Sequence, residues 1–321
     1  METLTEDYQK SMENFQERKG DEITILLYHG VTKEDSYGIE NYSAKHINDN
    51  TFARQMKYIS ENCSPISIDD YLSSYLNNLT LPKNSVIVSF DDGFRNNYTT
   101  AAPILEEFQI PAVFYISSGI VNTDIMFWVD ILEDCLNHSQ AKNIEIDLEK
   151  KISFSLLNDS QKIYALDKIK AFCKSASYEE MQRVVQQVES KCGVQSSVEN
   201  SKNYEKIKWN ELNELNQNDL FTIGGHSLYH VILSQLDIKR LDIEIRSSID
   251  LLNINLGTEI VHYSYPEGKK NHFNSAVINC LKKYNIICCP TAEPGLNPKN
   301  TNPFFLKRIM VGFQNIPFPY Y

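Results

Sequence analysis

Val86-Ile87-Val88 runs directly into Ser89-Phe90-Asp91-Asp92-Gly93. A short apolar run bounded by turn residues reads as a buried strand. Two adjacent carboxylates at its end repel each other and lose hydration together, so a fold holds them there only with a compensating cation. A metal ion is the simplest such cation.

Further ligands stand in Gly224-Gly225-His226-Ser227-Leu228-Tyr229-His230, after the strand-like run Leu220-Phe221-Thr222-Ile223. A spacing of four predicts both imidazoles on one side of a helical turn. One carboxylate and two imidazoles leave a coordination position open. That is the pattern of a catalytic zinc site rather than of a closed structural one.

Other apolar runs predict strands over residues 24–28, 86–90, 112–116, 221–224, 261–265, 286–289 and 307–311. Helical patterns lie between most of them, over 51–62, 101–108, 236–256 (with Gly257 as C-cap) and 274–284. Strands alternating with helices suggest βα units and a parallel sheet. The stretch 134–206 breaks the rhythm, with two polar helical patterns ending near Cys173 and Gly193 and little strand signal. It is expected to be a helical insertion on a barrel, either shaping the mouth of the site or solvated and away from it.

His29, Asp91-Asp92, His226 and Pro266-Glu267-Gly268 each follow an expected strand. Residues at the C-terminal ends of barrel strands line the active site, so one shared site is expected. His262 is expected to be structural. His46, His138 and His272 are expected to be exposed, and Arg95 solvated.

A chain of 321 residues suggests roughly two domains or one α/β barrel. The net charge of −11 argues against a broad nucleic-acid footprint or a polybasic membrane patch. Seven cysteines without repeating spacing read as reduced thiols. Residues 1–22 are polar and lack the apolar segment of a secretory signal. No run approaches the roughly 18–20 apolar residues of a membrane span. The expectation is a cytoplasmic protein with a polar segment over 1–22 and one folded body over 23–321.

Ser89-Phe90-Asp91-Asp92-Gly93, followed by Phe94, Arg95, Asn97 and Tyr98, resembles the first motif of the NodB-homology polysaccharide deacetylases, and His226-Ser227-x-x-His230 the second. Leu27-Tyr28-His29-Gly30-Val31 and Tyr265-Pro266-x-Gly268 resemble signatures of the branch with rearranged motif order. Trp209-Asn210-Glu211 and Leu306-Lys307-Arg308-Ile309 are similar to further stretches of that branch. The resemblance runs from about residue 23 to 313 and is weakest across the insertion.

It implies a distorted (β/α)7 barrel, one divalent metal, usually zinc, and removal of an N-acetyl group from an amino sugar. It places the metal on Asp92, His226 and His230, the base at Asp91 and the acid at His29. The backbone N–H of Glu267, beside Tyr265 and Pro266, becomes the oxyanion and substrate candidate, since proline has no N–H to offer. Two departures stand out. No arginine lies in 261–265 to orient Asp91, and Glu267 occupies a position that is often aromatic. Hydrolysis of a small non-sugar amide and a non-catalytic carbohydrate-binding barrel therefore remain alternatives.

Overall fold

The computed structural model describes residues 22–312, so the polar segment expected over 1–22 lies outside it but for Glu22. The strands are β1 (Glu22–Tyr28), β2 (Gly30–Thr32), β3 (His46–Asn48), β4 (Ser64–Pro65), β5 (Ser85–Phe90), β6 (Ala112–Ile116), β7 (Asn143–Asp147), β8 (Lys151–Ser155), β9 (Phe221–Gly225), β10 (Asn297–Pro298) and β11 (Ile309–Met310). Four of the expected runs form a parallel ladder in the order β1-β5-β6-β9. These strands are almost wholly buried, which is why they read as continuous apolar runs rather than alternating ones.

Register positions the functional end of the sheet. Tyr28 pairs with Phe90 and Phe90 with Phe114, and the three rings stack at 5.3 and 5.0 Å. Ile116 pairs with Gly225. The residues just beyond, His29, Asp91 and His226, therefore leave the sheet at the same end. The Asp91 N–H still donates to Tyr28 and the His226 N–H to Ile116, which carries the pairing one residue further.

The rest of the wall is less regular than the apolar runs predict. Residues 261–265 and 286–289 form no ladder; single bridges join Gly225 to Tyr263 and His262 to Cys288. The run expected over 307–311 keeps only two paired residues, Ile309 and Met310, against Leu26 and Leu27 of β1. Gly224 and Gly225 sit where a Cβ would lie 2.6 Å from the rings of Tyr115 and Tyr263 respectively. The absence of side chains there lets those two rings pack directly on β9. The whole is an α/β fold of the (β/α)7-like kind, distorted on this side.

The helices Asp49–Asn62, Ile238–Leu256 and Ser275–Lys283 appear where periodicity places them. Asn48, Asp237 and Asn274 accept from first-turn N–H groups, and Gly257 ends the longest in the left-handed region, as a C-cap glycine does. The helix expected over 101–108 is split. A π-helical turn, Asn97–Ala101, precedes Ala102–Glu107, and it aims the Asn97 amide at the His29 carbonyl, 2.7 Å away.

Residues Glu34–Tyr42 and Thr123–Glu205 form a compact unit separate from the remainder. The helices Trp128–His138, Asp159–Ser175 and Tyr178–Cys192 share a core of Leu132, Leu136, Leu166, Ile169, Val184 and Val188. The unit also contains an antiparallel hairpin of β7 and β8, where little strand was expected. Ile144 and Ile146 point into the core between exposed Asn143, Glu145 and Asp147, the alternation of a half-buried strand.

Candidate metal centre

Asp92 ends β5 in a tight turn. Its φ is 82°, and the Gly93 N–H closes back on the Asp91 carbonyl at 3.1 Å. This three-residue turn is costly for a non-glycine residue. It separates the two carboxylates, sending Asp91 and Asp92 to different partners.

His226 and His230 do not share a helical turn, contrary to the reading of their spacing. They flank an irregular turn in which Ser227 and His230 adopt φ of 61° and 56°. Leaving the helix lets both rings converge on one carboxylate oxygen. Asp92 Oδ1 lies 3.5 Å from His226 Nε2 and 3.3 Å from His230 Nε2. Backbone strain concentrates here. Of the six non-glycine, non-asparagine residues with positive φ among those described, four are Asp92, Ser227, His230 and Glu267.

These residues fit a divalent ion. Their ligand atoms lie within 4.8 Å of one another. Asp92 Oδ1 is buried and accepts no hydrogen bond among the described residues. His226 Nδ1 donates to the Ser264 carbonyl at 3.0 Å, so the neutral ring presents its Nε2 lone pair toward Asp92. A tetrahedral ion with bonds of about 2.0–2.1 Å holds its ligands about 3.3–3.4 Å apart, close to the two distances found. Burial opposes charge on Asp92, yet His230, His226 and His29 hold its carboxyl well below the usual range. Burial lowers His230, while Asp92 and Glu267 pull it upward. The Glu267 carboxylate thus lies within electrostatic reach of the centre.

Asp91 turns toward a cation supplied by the protein. Arg308 grips it with Nη1 on Oδ1 and Nη2 on Oδ2, both at 2.7 Å. Ser264 Oγ adds longer contacts of 3.3 and 3.2 Å and accepts from Arg308 Nη2 at 2.9 Å. Burial would raise the Asp91 carboxyl, but Arg308 and His226 more than reverse this, so it stays ionised. The arginine missing from 261–265 is therefore present, in the C-terminal run. Its signal was an arginine between Leu306 and Ile309 in a strand-like run, where a buried unpaired charge would be prohibitive.

His29 is half-buried at the end of β1. Burial lowers its pKa against the opposing charges of Asp92 and Asp91. Pro266 and Glu267 follow the 261–265 run. Glu267 has φ 59°, and the Gly268 N–H reaches the Pro266 carbonyl at 2.7 Å, a second tight turn like that at Asp92. Tyr265 is occupied in the wall: its ring is fully buried, stacked on Phe273 at 4.2 Å, with its hydroxyl on the Phe304 carbonyl.

Outside the centre, His262 is structural and bonds Asp69 at 2.8 Å. His46 and His272 are buried rather than exposed; His46 contacts the Asn96 amide and His272 accepts from the Lys269 N–H. Arg95 is not simply solvated but pairs with buried Glu211 at 2.9 Å.

The sequence profile of polysaccharide deacetylases matches residues 78–287. The chain belongs to the polysaccharide deacetylase family. Among curated relatives, the poly-beta-1,6-N-acetyl-D-glucosamine N-deacetylase of Escherichia coli K12 is 33% identical over 93 residues, 29% of this chain and 13% of that protein. The protein of that name from Staphylococcus aureus is 29% identical over 126 residues, 36% and 42% of the two chains. The chain thus spans less than half the length of the curated relatives it matches. Among solved structures, Streptococcus pyogenes deacetylase PplD in complex with acetate aligns with a TM-score of 0.60 at 16% identity, over 93% of this chain and 96% of that one. IcaB from Ammonifex degensii aligns with a TM-score of 0.58 at 16% identity, over 91% and 93%. At such identities the likeness establishes the deacetylase fold. No helix among the described residues of this deacetylase-family chain is long and apolar enough to cross a membrane.

Proposed function

We propose that the protein is a metal-dependent N-deacetylase acting on an N-acetylated amino-sugar glycan or glycan precursor. The observation that carries the reading is the Asp92–His226–His230 cluster beside a carboxylate, Asp91, held ionised by Arg308. The names of the curated relatives favour an N-acetylglucosamine polymer as the substrate class. Two imidazoles and one carboxylate around an open position favour zinc. Such an ion, when bound, makes water more acidic and polarises the acetyl carbonyl.

The chain's own residues do the rest. Asp91 takes the proton from the water that adds to the acetyl carbon. The Glu267 N–H donates to the carbonyl oxygen as it gains charge. His29 gives a proton to the amine nitrogen as the C–N bond breaks, releasing acetate and a free amino sugar. The Arg308–Asp91 pair also answers the departure that favoured a non-catalytic barrel, since an oriented base is of no use to a binding module.

Elemental analysis of wild type and Asp92→Ala, paired with acetate release from N-acetylglucosamine oligomers and from small linear and cyclic amides, tests the proposal. We expect about one zinc per wild-type chain, lost in the variant, and acetate from the oligomers alone. Metal-free wild type after reconstitution, or turnover by metal-free Asp92→Ala, would refute it. Turnover of the small amides alone would reassign the substrate.

A further inference from the structure

The turn between the two histidine ligands is held at almost every backbone group. The His226 carbonyl accepts from Ser117 Oγ at 2.9 Å, the Ser227 carbonyl from the Ser118 N–H at 3.2 Å, and the Leu228 carbonyl from the Gly119 N–H at 2.8 Å. These three anchors come from the segment that follows β6. On the donor side, the Ser227 N–H reaches Tyr263 Oη at 2.8 Å and the Val231 N–H reaches Ser227 Oγ at 3.2 Å.

Two further donors, the N–H groups of Leu228 and Tyr229, stand at the apex of the turn. Both converge on one atom. Glu244 Oε1 accepts from Leu228 N at 2.8 Å and from Tyr229 N at 3.1 Å. Glu244 lies in the helix Ile238–Leu256 and is neither a ligand nor a neighbour in sequence of either histidine.

We propose that Glu244 is a positioning residue of the metal centre. Its carboxylate clamps the apex of the turn and thereby fixes where His226 and His230 aim their Nε2 atoms. The inference rests on the metal centre proposed above. The physical case is one of strain and compensation. Ser227 and His230 occupy the left-handed region that disfavours L-residues with side chains. Such a turn persists only where its surroundings over-determine it. Without Glu244, two N–H groups lose their shared acceptor and the turn can relax toward ordinary backbone angles, carrying the rings apart. A charged acceptor makes stronger bonds to N–H groups than a neutral one. Both bonds fall on a single oxygen, however, so a glutamine placing its carbonyl oxygen there retains the geometry.

The test is metal affinity, by competition of zinc against a chromophoric chelator, together with the visible absorption of the cobalt-substituted protein. Wild type, Glu244→Ala, Glu244→Gln and Glu244→Asp are compared, each shown to be folded by circular dichroism in excess chelator. We expect Glu244→Ala to weaken zinc binding by about 10–100-fold, as loss of a group that orients metal ligands does, with a shifted cobalt spectrum. Glu244→Gln should stay close to wild type. Glu244→Asp, one methylene short, should behave like the alanine variant, and it answers the question alone should that variant not fold. A residue that merely stabilises the fold would lower the melting temperature and leave the affinity and the cobalt spectrum of the folded protein untouched. That result, or a glutamine variant as weak as alanine, would overturn the proposal. Wild type that binds neither zinc nor cobalt would instead sink the metal centre on which it rests.

Discussion

Arg308 and Asp91, 217 residues apart in the chain, meet through two parallel hydrogen bonds of 2.7 Å, both side chains buried. A guanidinium fork on a carboxylate fixes orientation as well as charge. It leaves Asp91 as an ionised base although burial alone would raise its carboxyl.

Arg308→Met should therefore damage activity and stability together. Removing one partner of a buried pair costs about 3–5 kcal/mol, read as a lower urea midpoint. Loss of a properly ionised base costs about 10²–10⁴-fold in turnover. The sign of the pH effect follows from the depressed carboxyl of Asp91. Its contribution to stability is complete above the unfolded value of about 3.9 and is lost as pH falls through the lower folded value. In the variant burial dominates, so the acid limb of the kcat/KM profile should move up toward neutral pH. An unmoved acid limb would show that Asp91 is not the base.

Much of this centre is legible in the sequence because its elements are local. An apolar run ending in Asp91-Asp92 and a His-x-x-x-His after a second run both lie within a few residues of a strand end. Arg308 was not assigned because its partner is set by barrel closure, a contact no local pattern encodes. The helical reading of 226–230 failed for a different reason. Spacing of four is necessary but not sufficient, and the tertiary bonds from Ser117, Ser118, Gly119 and Glu244 outweigh any helical preference of a short polar stretch. The hairpin at 143–155 carries its alternation on only two apolar residues of β7, Ile144 and Ile146, too short a signal to stand out between the helical patterns around it.

The cysteines give a check independent of catalysis. All seven are free thiols, and only Cys63 and Cys280 are more than marginally accessible. Burial and Asp242 push the Cys280 thiol up to about 11, so its thiolate is scarce near neutral pH. Alkylation at pH 8 followed by peptide mass mapping should label Cys63 first and Cys280 slowly. Cys135, Cys173, Cys192, Cys288 and Cys289 should react only after unfolding. Rapid labelling of Cys173 would contradict its place in the core of the second unit.

Gly225→Ala probes the packing behind the metal ligands. The added Cβ would sit 2.6 and 2.7 Å from two ring carbons of Tyr263, which is fully buried. Overpacking of this kind costs about 1–3 kcal/mol. The displaced ring would also carry its hydroxyl away from Ser227, so weaker zinc binding should accompany the lower melting temperature. A variant as stable as wild type would mean that the ring can shift freely.

Tyr263→Phe isolates the hydroxyl from the ring. Ser248 Oγ donates to the Ile245 carbonyl at 2.8 Å, so Tyr263 must be the donor in its 2.9 Å contact with Ser248, while accepting from the Ser227 N–H at 2.8 Å. This directed chain ties the turn beside His226 to the long helix. Phenylalanine keeps the packing but leaves the buried Ser227 N–H without its acceptor, at a cost of about 1–3 kcal/mol. Urea unfolding in excess chelator should show that loss in the metal-free protein. A further drop in zinc affinity should appear in the folded variant, because Ser227 precedes the residues that Glu244 holds. If stability falls while affinity is unchanged, the hydroxyl serves the fold alone and the aim of His226 is set by Ser264 and Ser117.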